Sequence, residues 1–355
     1  MRASYSLITG GAGFIGTNLA AHLCEAGKEV LIYDNLSRAG VERNVEWLRR
    51  RYPGLVHVTV ADIRDIAALG EAVRHAEAVY HFAAQAAVTT SIEDPVDDFG
   101  VNLCGTFNLL EAIRALPRRP PLLFTSTNKV YGGLEDLSLR EAGGRYEAVC
   151  EQVRLEGVGE DRPLDFHSPY GCSKGAADQY VLDYCRIYAV PTVVFRMSCI
   201  YGQHQLGTED QGWVAHFLIR SINNGPITIY GDGRQVRDIL FVDDLIKAIL
   251  AAMDHIGQTR GKAFNIGGGP GNAISVLELL DHIKRLTGRL PLIAHEGWRQ
   301  GDQRYYVSDT RRFQRITGWK PTISAVEGIE RLYRWLANGE ADSAGPLSVP
   351  ERIAL

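Results

Sequence analysis

Short apolar runs alternate with longer amphipathic stretches from the beginning of the chain. Residues 4–9, 30–33, 56–60, 78–82 and 122–125 are rich in β-branched, leucine and aromatic side chains, and each is only four to six residues long. That is the pattern of buried strands. Between them, 17–26, 66–75 and 96–116 carry apolar residues at helical spacing, and the last stops at Pro117, which cannot continue a helix. Strands alternating with helices predict an α/β fold with a parallel, doubly wound sheet. The second half predicts a helix over 170–188, a strand over 192–196, a helix over 213–224 and a strand over 227–230. A Gly231-Asp232-Gly233 turn, a helix over 242–254 and a strand over 263–266 follow. Ser275 with Glu278 three residues on is a capping box opening a helix to 286, and 325–337 reads as a last helix. Residues 203–212 are polar without periodicity and read as a loop. Residues 141–162 mix charge and glycine without periodicity and read as an insertion near the mouth of a ligand site. From 338 onward small and polar residues predict a loosely held tail.

The first strand runs into Gly10-Gly11-Ala12-Gly13-Phe14-Ile15-Gly16 and then a helix. Strand, glycine turn and helix together make a dinucleotide-phosphate fingerprint, because glycines admit a close backbone approach and the helix start offers free N–H groups. The second strand ends at Asp34, eighteen residues past Gly16, where a carboxylate suits the two hydroxyls of a ribose and disfavours an extra phosphate there. The cofactor expected is therefore NAD, although Arg38 lies close enough to meet a 2′-phosphate instead. Asp62-Ile63, after the third strand, suits an adenine contact. Phe82-Ala83-Ala84-Gln85, after the fourth, supplies small side chains beside which a cofactor can lie.

Tyr170 is the only one of fifteen Tyr with a Lys four residues on, at Lys174. On a helix both side chains share a face. A lysine ammonium favours a phenolate, so such a Tyr can take and return the proton of an alcohol. Ser126-Thr127-Asn128-Lys129 follows the fifth strand, at the end of a sheet strand where open α/β folds bind ligands. Thr127 can hydrogen-bond the same alcohol, which completes a hydroxyl donor, an acid/base and an activator.

The glycine turn, Ser126-Thr127 followed by Val130-Tyr131-Gly132, and Tyr170 with Lys174 resemble the extended short-chain dehydrogenase/reductase family. The resemblance runs from about residue 5 to about residue 336. It implies an NAD-dependent enzyme acting on nucleoside-diphosphate sugars, with Tyr170 as acid/base, Lys174 on the nicotinamide ribose and Thr127 polarising the substrate oxygen. It adds Asn35, Ser37, Asn102, Thr125 and Ser198 to the cofactor residues. Gln85, Asn128, Lys129, Cys199, Gln211, Gly212, Trp213, Tyr230, Arg237, Arg299, Asp302 and Arg304 are implied on the substrate side, with the Arg237 fork suited to a diphosphate. The family's 4,6-dehydratases carry Asp and Glu directly after the threonine. Here Asn128 and Lys129 stand there, which disfavours dehydration and favours an epimerase. The blocks 165–180, 210–213, 235–238, 265–268 and 302–304 resemble the branch of the family that epimerises CDP-hexoses at C2. A 4-epimerase, an oxidoreductase releasing a net product, and a nucleotide-sensing protein without chemistry remain alternatives.

The implied organisation is a cofactor domain over 1–200 with 236–267 returning to it, a sugar-nucleotide subdomain from 201–235 and 268–337, and a tail over 338–355. Composition fits a soluble enzyme, with 45% hydrophobic and 23% charged residues. A net charge of −4 gives no case for nucleic acid, and no apolar stretch is long enough to span a bilayer. Met1 leads straight into a strand-like run and the six Cys form no C-x-x-C pair, so a cytoplasmic protein with reduced thiols is expected. The ten His show no metal-ligand spacing, and no metal is expected. A homo-oligomer, dimer or tetramer, is the family's habit.

Overall fold

A computed structural model describes residues 4–289 and 291–338. Seven parallel strands form the main sheet, in the order Lys262–Ile266, Thr192–Met197, Leu122–Thr127, Ala76–His81, Tyr5–Thr9, Val30–Asp34, Val56–Val60. Neighbouring residues point to opposite faces, so each strand feeds two cores. Leu7, Leu31, Phe124 and Val194 pack on one side, and Ile8, Ile32, Leu123 and Val193 on the other. This explains the continuous apolar runs, since helices cover both faces of such a sheet. Strand order reverses between Tyr5–Thr9 and Ala76–His81, which opens a crevice at their carboxyl ends.

The second half adds a smaller layer. Val236–Phe241 pairs with Cys199–Tyr201, Ala273–Ser275 and Tyr305–Tyr306, and Ile227–Tyr230 pairs with Ile293–Glu296. The capping box at Ser275 and Glu278 forms as the sequence predicts, and opens the helix Val276–Thr287. The helices Val242–Asp254 and Ala325–Ala337 also match their predicted spans closely. Val242–Asp254 packs on the first helix, Phe14–Glu25. No helix among the described residues is long and apolar enough to cross a membrane. The expected tail lies, apart from Asn338, outside the described residues.

Two expectations need correction. The long helix over 96–116 is broken into Pro95–Phe99, a π turn at Gly100–Cys104 and Gly105–Arg114. Apolar spacing alone does not separate a π turn from an α turn. The stretch 141–162, expected as an insertion near the mouth of a ligand site, packs on the smaller layer instead. It holds most of a hairpin, Leu139–Ala142 with Arg145–Ala148, and the helix Glu151–Glu156. It braces the smaller layer: Tyr146 N–H donates to the Arg234 carbonyl (2.9 Å), the Tyr146 hydroxyl to Asp232 (2.6 Å), and Ala148 is buried against Val236 and Tyr305. None of these residues lines the main cavity. Strands of four residues, half of them charged, leave too little alternation to read.

Candidate active site

The glycine turn sits in the crevice where the strand order reverses. Gly10 has φ +67°, and a Cβ there would lie 2.5 Å from the Ala83 nitrogen. At Gly16 a Cβ would lie 2.5 Å from the Gly10 carbonyl oxygen. Only glycine lets the turn close this tightly on the neighbouring strand and helix. The helix Phe14–Glu25 starts at Gly13 without any side-chain cap, so its first N–H groups stay available to an anion. Asp34 accepts from the Ala12 N–H (3.0 Å) and the Leu36 N–H (2.9 Å). Burial raises its pKa, while those two bonds pull the other way. The bonds fix the carboxylate beside the turn. The turn, the uncapped helix and Asp34 fit a dinucleotide whose ribose hydroxyls meet the carboxylate.

Around it, Asn35 Nδ2 donates to Asp62 (3.1 Å), and the Ser37 N–H to Asn35 (3.1 Å). Asp62 is gripped by Arg64, whose guanidinium holds its carboxyl well below the usual range despite partial burial. Ile63 turns inward against Gly105 and joins the core. The Gln85 side chain folds back on its own loop, bonding both the N–H and the carbonyl of Ala87. Arg38 does not stand free as a 2′-phosphate ligand. It donates to the Gln211 side chain and to the Leu206 carbonyl (3.1 Å), reaching across to the loop 203–212.

One cavity of about 510 Å³ runs from Phe14 and Ile15, at the start of the first helix, past Thr127, Tyr170 and Lys174 and on into the smaller layer. Phe14, Ile15, Phe82, Ala84, Thr125, Thr127, Tyr170, Lys174 and Ser198 line its first part. Tyr170 and Lys174 lie on the helix Ser168–Tyr188 and Thr127 ends the strand Leu122–Thr127, so sheet and helix hold the three together. Burial pushes the Tyr170 phenol up to about 12, against a hydrogen bond with Thr127, and Asp98 adds to the rise. Lys174 is 3% exposed with its Nζ 4.2 Å from the centre of the Phe124 ring. Burial pushes it down to about 7, with Asp178 and Asp98 opposing. Beneath it, His81 is held between Thr9 (2.6 Å) and Thr106 (3.0 Å), and burial and Lys174 keep it neutral, down to about 3.

Sequence reading missed the support behind this pair. Asp98, fully buried, accepts from Ser173 Oγ (2.5 Å) and from Asn102 Nδ2 (3.0 Å). Asn102 also bonds the Gln85 carbonyl (3.0 Å) and Ser173 (3.1 Å). Asn102 is thus placed behind the cavity wall rather than on it. The π turn brings these groups together, and no local spacing announces it.

The second part of the cavity is lined by Asn128, Lys129, Cys199, Gln211, Gly212, Trp213, Tyr230, Arg237, Arg299 and Asp302. Ser198 Oγ is tied to buried Asp238. Cys199 accepts from the Trp213 indole (3.4 Å), and burial raises its pKa, keeping it a thiol. The Arg299 guanidinium lies 3.7 Å from the centre of the Tyr230 ring, and the Tyr230 hydroxyl donates to Glu209 (2.6 Å). Arg299 also donates to the Glu209 carbonyl (3.0 Å), so the loop 203–212 is held from this side too. Arg304 lies outside the cavity lining, against the faces of Trp298 and Tyr146.

Residues 6–267 match the family described as NAD dependent epimerase/dehydratase. The chain belongs to that family. It is 41% identical over 338 residues to CDP-paratose 2-epimerase of Salmonella typhi, covering 94% of this chain and 99% of that protein. It is 33% identical to a putative UDP-glucose 4-epimerase of Methanocaldococcus jannaschii, covering 94% and 98%. Among solved structures, the UDP-glucose 4-epimerase of Thermus thermophilus in complex with NAD is similar with a TM-score of 0.78 and 32% identity, covering 93% of this chain and 99% of that one. As a member of the family, the protein is an NAD-dependent enzyme with a Rossmann-type sheet. The glycine turn and Asp34 are the features of this chain that fit the dinucleotide.

Proposed function

We propose that the protein is an NAD-dependent nucleoside-diphosphate-sugar 2-epimerase whose substrate is a CDP-hexose of the paratose/tyvelose kind. The likeness to CDP-paratose 2-epimerase along nearly the whole of both chains carries this reading. Thr127, Tyr170 and Lys174 facing one cavity support it. NAD supplies the hydride acceptor and donor. Gly10, Gly13 and Gly16 with the start of the Phe14–Glu25 helix would hold its pyrophosphate, and Asp34 a ribose. Tyr170 takes the proton of the C2 hydroxyl and gives it back, Thr127 donates a hydrogen bond to the oxygen, and Lys174 would hold the nicotinamide ribose. The sugar turns between the two proton transfers and presents its other face, while residues of the smaller layer keep the nucleotide in place. Asn128 and Lys129 offer no carboxylate pair for eliminating water. A C4 reaction is the alternative, favoured by the similarity to 4-epimerases.

The test is turnover of CDP-hexose deuterated at C2, followed by NMR, with UDP-, GDP- and dTDP-hexoses in parallel. The expected product is inverted at C2 and keeps the label. Loss of label to solvent, or inversion at C4, would sink the reading.

We also infer a homo-oligomer. Phe107 (40% exposed) and Tyr180 (45% exposed) stand edge to face with ring centres 5.7 Å apart, on the packed helices Gly105–Arg114 and Ser168–Tyr188, and Ile187 extends that apolar face. Two such helix pairs from two copies would close into a four-helix bundle.

A further inference from the structure

Two cations and one carboxylate meet on the cavity wall beside the catalytic hydroxyl. Lys129 lies two residues past Thr127, and its backbone N–H donates to the Thr127 hydroxyl (3.2 Å). The Lys129 Nζ donates to the Gly301 carbonyl (2.9 Å) and stands 3.5 Å from Asp302 Oδ1. Arg237 donates to that same oxygen at 2.7 Å. The Lys129 side chain is 19% exposed and that of Arg237 9%, and both line the cavity. The cluster is rigid from behind. Asn128 Nδ2 donates to Gln303 Oε1 (2.7 Å), and Gln303 Nε2 to the Gly132 carbonyl (2.6 Å). The segments 127–132 and 301–303 therefore move as one body.

An ammonium and a guanidinium converge on one oxygen, and Asp302 balances only one of the two charges. Burial works to raise the Asp302 pKa, but Arg237 and Lys129 hold it below its usual range. Burial lowers that of Lys129, with Asp302 the chief opposing charge. A surplus positive charge in a poorly hydrated wall, aimed at the place of an anionic oxygen, is a seat for a phosphate.

We propose that Lys129 is a second ligand of the substrate diphosphate, gripping the sugar-side phosphate together with Arg237. The proposal deepens the sugar-nucleotide reading and rests on it. It gives a physical reason for a lysine at this position. In a nucleoside-diphosphate hexose the sugar-side phosphate is carried on the C1 oxygen. C2 is the neighbouring carbon, whereas C4 lies across the ring. A phosphate gripped on the cavity wall that Thr127 also lines favours C2, the carbon next to the phosphate-bearing one, over C4 against Thr127 and Tyr170. A carboxylate at position 129 would join Asp302 and turn the surplus positive charge of the cluster into a negative one.

The test is calorimetric binding of CDP and CMP, and of UDP and UMP, to the NAD-loaded protein. Only the diphosphates carry the second phosphate. In Lys129→Met the diphosphate should bind at least tenfold more weakly, while the monophosphate changes less than about twofold. Lys129→Arg, which keeps the charge, should retain most of the preference for the diphosphate. Lys129→Gln serves as a second neutral variant should the apolar one misfold. An unchanged diphosphate-to-monophosphate ratio, or equal weakening of both, overturns the proposal. Binding of these nucleotides does not depend on which carbon reacts. Failure here leaves the epimerase reading standing, and failure of the C2 label leaves this seat standing.

Discussion

Lys174 shows what the proposed catalytic arrangement costs the fold. Its ammonium is buried over Phe124, and burial brings its pKa down to about 7 from an ordinary 10.5. Between those two values the unfolded chain binds more protons than the folded one, so this residue makes stability rise with pH across that window. Below it, the folded protein carries the whole penalty of the buried charge. Lys174→Met should therefore melt higher than the wild type at about pH 7, lose that lead at about pH 10, and turn over no substrate. Thermal melts across pH check this, and a lower melting temperature for the variant at neutral pH would contradict it. Tyr170 and Lys174 were legible in the sequence because their spacing is local, as were Asp34 and Thr127, each at a strand end. Asp98 was not. Its partner Ser173 is 75 residues away, and an aspartate in an amphipathic helix reads as a solvated one.

At the scale of elements, the glycine turn was read correctly because strand, turn and helix are contiguous. The structure adds what Gly10 is for. Its φ of +67° costs an L-residue about 1–2 kcal/mol, and an added Cβ would also press on the Ala83 backbone. Gly10→Ala should lower the melting temperature and release NAD, whereas Gly27→Ala, also at positive φ but with nothing within 4 Å, should cost stability alone. Cofactor released by heat after gel filtration and read as NADH after enzymatic reduction separates the two, and a Gly10→Ala protein that keeps its NAD would show that the turn yields. The hairpin at 139–148 and the π turn at 100–104 escaped the sequence reading for different reasons. One is too short for periodicity, and the other keeps helical spacing while adding a residue to a single turn.

At the scale of the whole molecule, the sheet order follows from the alternation of elements, but the surface we infer to join two copies does not. Phe107 and Tyr180 are exposed in the fold, and nothing in their local spacing marks them as a surface pair. A Phe107→Asp, Tyr180→Asp double variant should sediment as a monomer where the wild type sediments as a larger species, with NAD still bound. A wild-type monomer at micromolar concentration would contradict the assembly. The loop 203–212 has a consequence of another kind. Arg38 reaches it from beside the dinucleotide turn and Arg299 from the smaller layer, where we propose the sugar nucleotide binds, so both proposed sites touch the same ten residues. Binding free energies linked through one body are reciprocal. Whatever factor the bound dinucleotide adds to the affinity for the sugar nucleotide, the sugar nucleotide returns to the dinucleotide, and where that factor exceeds one the grip on the cofactor is firmest while substrate is present.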